Sequence, residues 1–146
     1  MKLREEMPEL DGATRWLNSR AINKKELIGE HPTLIHFWSI SCDLCKKAMP
    51  EVNEFRTQYK NKLNVIAVHV PRSEEDDHLD DVISTAKTHH ITQPIYIDHE
   101  QYLIKAFKNK YVPSYYLFDK KGLLRHKQAG KSAMMLLRKR INRLLS

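Results

Sequence analysis

An α/β fold, with a central mixed sheet, helices on both its faces and an extra N-terminal segment, is what the sequence predicts from three observations. Short β-branched and aromatic runs alternate along the chain with segments of helical periodicity. One such run, "NVIAVHV" ending at Val70, is almost continuously apolar, as strands covered on both faces are. No internal repeat and no linker rich in Pro, Gly or Ser interrupts the 146 residues, of which 41% are hydrophobic and 29% charged, an ordinary globular balance. A single domain over 1–146 follows, large enough for a core without metals or cross-links as staples.

The elements follow in order. A weaker N-terminal segment containing Trp16 and Ile22 precedes the first clear strand, "TLIHFW" (Thr33 to Trp38), which Pro32 introduces. From about Asp43, Ala48, Val52, Phe55 and Tyr59 recur at helical spacing, and Pro50 within that pattern should kink the helix. After "NVIAVHV", Pro71 ends the strand, and the acidic run Glu74 to Asp77 suggests an exposed loop at the N-terminal end of a helix, where the dipole favours carboxylates. That helix spans about Leu79 to Thr88. A short strand "PIYID", a small helix from Tyr102 to Phe107, a strand "VPSYYLFD", a "KKG" turn and its hairpin partner "LLRH" come next. A helix from about Ala133 to Leu145 closes the chain.

Composition narrows the function classes. The formal charge is +7, but the cations are dispersed, and the densest cluster, "RKRINR" from Arg138, reads as the solvated face of a terminal helix; no nucleic acid is expected. No membrane is expected either: the apolar runs are far too short to span a bilayer, and Glu5 and Glu6 interrupt any secretory leader. The cytoplasm follows as the compartment, where thiols are normally reduced. No nucleotide, flavin or nicotinamide signature is present. Monomer is the default.

Both cysteines of the chain, Cys42 and Cys45, lie in "SISCDLCKKAMPEV" at a strand-to-helix junction. A helix starting near Cys42 would set its sulfur beside unpaired backbone N–H groups, which favour a thiolate. Cys45, nearly a turn later, faces the same way and can close a small, reducible disulfide. That predicts one open, attacking sulfur and one sheltered, resolving sulfur. A zinc site would need two more ligands, and no tight histidine pair supplies them; His89 and His90 point apart on any helix, so no metal is expected. A structural disulfide gains little from so small a loop. Two inert core cysteines would leave their placement unexplained. Redox exchange is the reading these residues favour.

"TLIHFWSISCDLCKKAMPEV" resembles the active-site segment of thioredoxin-fold thiol–disulfide oxidoreductases, especially the TlpA/ResA-like branch, and the likeness continues through "AVHV", "VPSYYLFDKKG" and "AGKSAMMLLRKRI". The resemblance implies protein thiol or disulfide substrates, an upstream reductase, and no cofactor beyond the Cys42–Cys45 couple. It implies that Cys42 attacks and Cys45 resolves. It also implies that Pro113 is a cis-proline facing the disulfide, that Val112 offers backbone hydrogen bonds to substrate, and that Trp38 packs beneath the site.

The departures from that pattern are informative. Ser41 replaces the thioredoxin tryptophan, and Asp43-Leu44 replaces Gly-Pro between the cysteines. Asp43 should raise the Cys42 thiol pKa, opposed weakly by Lys46 and Lys47, and Leu44 adds no positive charge. A reducing couple is expected, nearer thioredoxin (about −270 mV) than DsbA (about −120 mV). His36 falls where thioredoxins carry a buried aspartate. It shares a face with Leu34 and Trp38, and it is a candidate acceptor for the Cys45 proton, against the plainer reading of a neutral core histidine. Arg72 stands where ResA-like proteins carry a glutamate, either to position a substrate or as a solvated loop residue. A peroxidase of the same superfold would need P-x-x-x-[T/S]-x-x-C; Ser39 fits, but Ile35 occupies the proline position. A non-catalytic thiol- or metal-binding module is the remaining alternative.

Overall fold

Strand β2 (Thr33–Trp38) is buried at every position and lies at the centre of the sheet, because its apolar residues face both ways. The computed structural model describes residues 1–146. In chain order the elements are β1 (Arg15–Leu17), α1 (Lys24–Leu27), β2, α2 (Asp43–Gln58), β3 (Asn64–His69), a 3₁₀ turn (Glu74–Asp77), α3 (Leu79–Thr88), β4 (Ile95–Ile97), α4 (Tyr102–Ala106), β5 (Ser114–Phe118), β6 (Leu124–Ala129) and α5 (Met134–Leu145). The six strands form one sheet in the order β1-β4-β3-β2-β5-β6. β2, β3 and β4 run parallel, while β1, β5 and β6 pair antiparallel with their neighbours. The predicted mixed α/β sheet is therefore the observed one.

Each face of the sheet has its own core. One contains Leu34 and Trp38 of β2 with Met49, Val52 and Phe55 of α2 and Leu137 and Ile141 of α5, and both cysteines belong to it. The other sets Phe37 against Phe107 and Tyr116, with Leu27 of α1, Leu103 of α4 and Met7 and Leu10 of the N-terminal segment. Odd and even positions of β2 thus serve opposite layers, as a two-residue period requires.

Two expectations need correction. The weak N-terminal segment holds a strand and a helix: Trp16 of β1 pairs with Tyr96 of β4 and packs edge-on against its ring at 5.3 Å. Helix α1 starts with a reciprocal cap, Asn23 accepting from the Glu26 N–H at 3.2 Å and Glu26 accepting from the Asn23 N–H at 2.8 Å. Helix α2 runs from Asp43 to Gln58 with Pro50 inside it, as expected; Pro50 is exposed, so water can serve the carbonyl that the proline leaves unbonded. The acidic run is a 3₁₀ turn, and one member, Asp76, is buried.

Register sets where chemistry can occur. Trp38 ends β2 opposite His69, which ends β3, and the chain turns there into α2. Phe37 pairs with Ser114 at the start of β5, so Pro113 lies at the same end of the sheet as Trp38. Carboxyl ends of parallel strands are where open α/β sheets commonly place their sites.

Candidate active site

The turn Ser39–Cys42 carries the chain from β2 into α2, and Cys42 is the N-cap of that helix, extended at φ −98° and ψ 103°. Its sulfur accepts the Cys45 N–H at 3.1 Å, one of the four helix-start donors that no helical carbonyl can reach. The two cysteines form a disulfide across Cα atoms 5.2 Å apart, well within bridging range. Sequence spacing predicts this pairing of one sulfur at the helix mouth and one a turn inside.

The expected contrast in exposure is not observed. In the disulfide, Cys42 is 3% exposed and Cys45 1% exposed, so neither sulfur is open. Ile40 and Val112, partly buried, pack on the cluster that holds both. The asymmetry lies in hydrogen bonding: the Cys42 sulfur holds a backbone N–H at the positive end of α2. Asp43 and Leu44, the two residues between the cysteines, are both exposed.

The remaining predicted residues fall around this pair. The Val112–Pro113 bond is cis, with Pro113 buried and Val112 half-buried. Trp38 is buried in the same core cluster as both sulfurs, its ring 5.0 Å from that of His69, and its Nε1–H has no hydrogen-bond partner. Burial keeps it off any surface that a substrate could touch.

His36 is fully covered, as its face of β2 predicts, and the bond it makes is to Gln93. Gln93 donates from Nε2 to His36 Nε2 at 2.9 Å, and no hydrogen bond joins His36 to either cysteine. Arg56 settles the orientation of the Gln93 amide. Its guanidinium, a donor only, bonds Gln93 Oε1 at 2.8 Å, so the amide NH₂ must face the imidazole. A neutral imidazole has one acceptor nitrogen, and here it is committed to Gln93, which puts the ring proton on Nδ1. Burial, reinforced by the Arg56 charge, pushes the His36 pKa down to about 3, so the ring stays neutral near pH 7.

Several residues at the site lack any local sequence signal. His69 is buried, and its Nε2 accepts the Ile40 N–H at 3.2 Å. Burial, with His99 nearby, lowers its pKa to about 4, against an opposing pull from Asp76. Ser41 Oγ donates to Asp76 Oδ2 at 2.8 Å, and Arg72 Nη1 donates to the Ser41 carbonyl at 3.1 Å. Arg72 is thus engaged with the turn rather than merely solvated. Ser39 is buried, and its hydroxyl donates to the Val70 carbonyl. No group of three or more His, Cys, Asp or Glu side chains gathers to hold a metal. The redox centre on offer is the disulfide itself.

Known proteins give the same picture. The AhpC/TSA family model matches residues 4–127. The thiol-disulfide oxidoreductase YkuV of Bacillus subtilis is 59% identical over 146 residues, covering all of this chain and 98% of that protein. The thiol-disulfide oxidoreductase ResA of Bacillus cereus is 29% identical over 115 residues, 78% of this chain and 63% of the relative. Among solved structures, a thioredoxin-like protein in its oxidised form superposes with a TM-score of 0.91 at 59% identity, covering 99% of this chain and 97% of that one. On these grounds the chain belongs to the AhpC/TSA family and, within it, to the thiol–disulfide oxidoreductases of the thioredoxin fold.

Proposed function

We propose that residues 1–146 act as one domain that passes electron pairs between Cys42–Cys45 and protein disulfides, mostly as a reductant. The observation that carries this reading is the disulfide at the helix mouth, with the Cys42 sulfur accepting the Cys45 N–H. In the reduced protein the Cys42 thiolate attacks a substrate disulfide. A Cys42–substrate bond forms, the substrate S–S bond breaks, and one substrate thiolate leaves. Cys45, losing its proton, then attacks the Cys42 sulfur, re-forms the Cys42–Cys45 bond and expels the second thiolate. The substrate gains two electrons, and the two protons lost by the cysteines balance the two thiols it becomes. A dithiol reductase reverses the change on the protein.

The residues around the pair take supporting parts in this scheme. Val112 and Pro113 form the edge against which a substrate strand docks, Trp38 packs under the disulfide, and Asp43 with the uncharged Leu44 biases the couple toward reduction. His36 is a buried, neutral residue held by Gln93, and the Cys45 proton passes to the substrate thiolate that leaves. We place the protein in the cytoplasm, where a reductant has a use and thiols persist.

Two single-cysteine variants test the scheme. Cys42→Ser should abolish catalysed insulin reduction, whereas Cys45→Ser should accumulate a mixed disulfide with the physiological partner, resolved as a heavier band on a non-reducing gel. Insulin reduction that survives the loss of Cys42 would remove the scheme.

A further inference from the structure

The three residues leading into Cys42 are each tied to the end of β3 or the chain that follows it. Ser39 Oγ bonds the Val70 carbonyl, the Ile40 N–H bonds His69 Nε2 at 3.2 Å, and Ser41 Oγ bonds Asp76 Oδ2 at 2.8 Å. The last tie is part of a closed ring. The same Asp76 oxygen accepts the Arg72 N–H at 2.8 Å, and the Arg72 guanidinium returns to the Ser41 carbonyl at 3.1 Å. Ser41 is therefore held through both its side chain and its backbone. Glu74, Glu75 and Asp77 all face solvent, but Asp76 is 3% exposed. A carboxylate withdrawn from water in an otherwise solvated run is costly unless strong hydrogen bonds meet it, and here two N–H or O–H donors do.

We propose that Asp76 is the positioning residue of the active-site turn: it clamps Ser41 against Arg72 so that Cys42 stays at the mouth of α2, and its fixed negative charge keeps the Cys42–Cys45 couple reducing. The inference rests on Cys42 as the attacking sulfur. A carboxylate bonded to the residue next to Cys42 disfavours the thiolate, which only the reduced form contains. Destabilising the reduced form makes the dithiol surrender electrons more readily. The α2 N-terminus and Arg72 pull the other way. Other charged and titratable groups lie on the neighbouring elements: Asp43, Lys46 and Lys47 of α2, Lys110 before Val112, His69 with His99 beside it, and Glu74, Glu75, Asp77 and His78 around Asp76; the substitutions below leave all of them in place.

Three variants separate clamp from charge. In Asp76→Asn the amide oxygen can still accept both hydrogen bonds while the charge is gone. Its insulin-reduction rate should stay within about twofold of the parent. Its equilibrium with glutathione should move about tenfold toward the dithiol, about 30 mV less negative, and the Cys42 thiol pKa should fall. Asp76→Ala loses clamp and charge, and reduction should slow about tenfold. Ser41→Ala keeps the charge but loses the hydroxyl, so its rate should fall severalfold at an unchanged potential; it decides the clamp should Asp76→Ala fail to fold. Equal rates for the Asn and Ala variants, a Ser41→Ala variant as fast as the parent, or an unmoved equilibrium in Asp76→Asn would overturn the proposal. The equilibrium is read on the disulfide without any protein substrate. Failure there leaves the oxidoreductase reading standing, whereas insulin reduction persisting in Cys42→Ser removes that reading by itself.

Discussion

Gln93 shows how a single buried amide can settle the chemistry of a neighbour. It receives Arg56 on its oxygen and hands an N–H to His36, so the imidazole keeps no free lone pair for the cysteines. Either partner alone is expensive to lose. Gln93→Leu strands His36 Nε2, and His36→Leu strands the Gln93 amide, each costing about 1–3 kcal/mol as an unsatisfied buried group. Replacing both removes the demand along with the supply, so the double variant should be less destabilised than the sum of the singles. Urea unfolding of the four proteins checks this; strict additivity would mean that the pair does not interact. Rapid-mixing kinetics of His36→Leu should find the resolution step by Cys45 with its pH profile unchanged, because His36 holds no hydrogen bond to either sulfur.

Elements were legible in the sequence where burial is two-sided or periodic. β2 and β5 are buried throughout and β3 everywhere but its first residue, and α2 repeats its buried positions at Cys45, Met49, Val52 and Phe55. β6 runs on to Ala129 through polar residues because it lies at the sheet edge, buried on alternate positions at most, and only its pairing with β5 makes it a strand. β1 has three residues and no buried one, and α1 has a single buried side chain, Leu27, so neither shows a period. The site divides in the same way. The cysteine spacing is local and was readable, whereas His69, Asp76 and Gln93 reach their partners across 29, 35 and 57 residues, through pairings that no short window contains. The capping box of α1 did lie within one window, as "NKKE" from Asn23. A helix of four residues depends heavily on its cap, so Asn23→Ala should destabilise the protein by about 1 kcal/mol and raise hydrogen exchange locally at Lys24–Leu27. Exchange that rises equally across the sheet would place the loss elsewhere.

At the scale of the whole molecule, two histidines buried neutral tie folding to pH. His36 titrates at about 3 and His69 at about 4 in the folded protein, against 6.5 for an unperturbed histidine. Both are lowered cationic groups, so above pH 6.5 neither state binds a proton there and stability is complete. As pH falls below 6.5, the unfolded chain takes up two protons that the folded one refuses, and stability declines by up to about 1.4 kcal/mol per pH unit for each histidine. The decline halves below about pH 4, when His69 charges in the folded state and releases the Ile40 N–H, and the His36 share ends near pH 3. Carboxylates add their own effects mainly below pH 5, and Asp98, whose pKa burial raises, contributes alike to parent and variant, so the difference between the two from pH 6.5 to 5 reports the histidine. The His36→Leu, Gln93→Leu double variant carries one of the two groups and should show a slope shallower by up to about 1.4 kcal/mol per unit in that window. Equilibrium unfolding at half-unit pH steps measures the difference, and matching slopes for parent and variant would mean that His36 is protonated or solvated in the folded chain. The same experiment follows the active-site turn, because below about pH 4 His69 gains a proton where it now accepts a hydrogen bond. The active-site turn should therefore loosen on acidification before the sheet does, with Ile40 the first amide near the site to lose protection from hydrogen exchange.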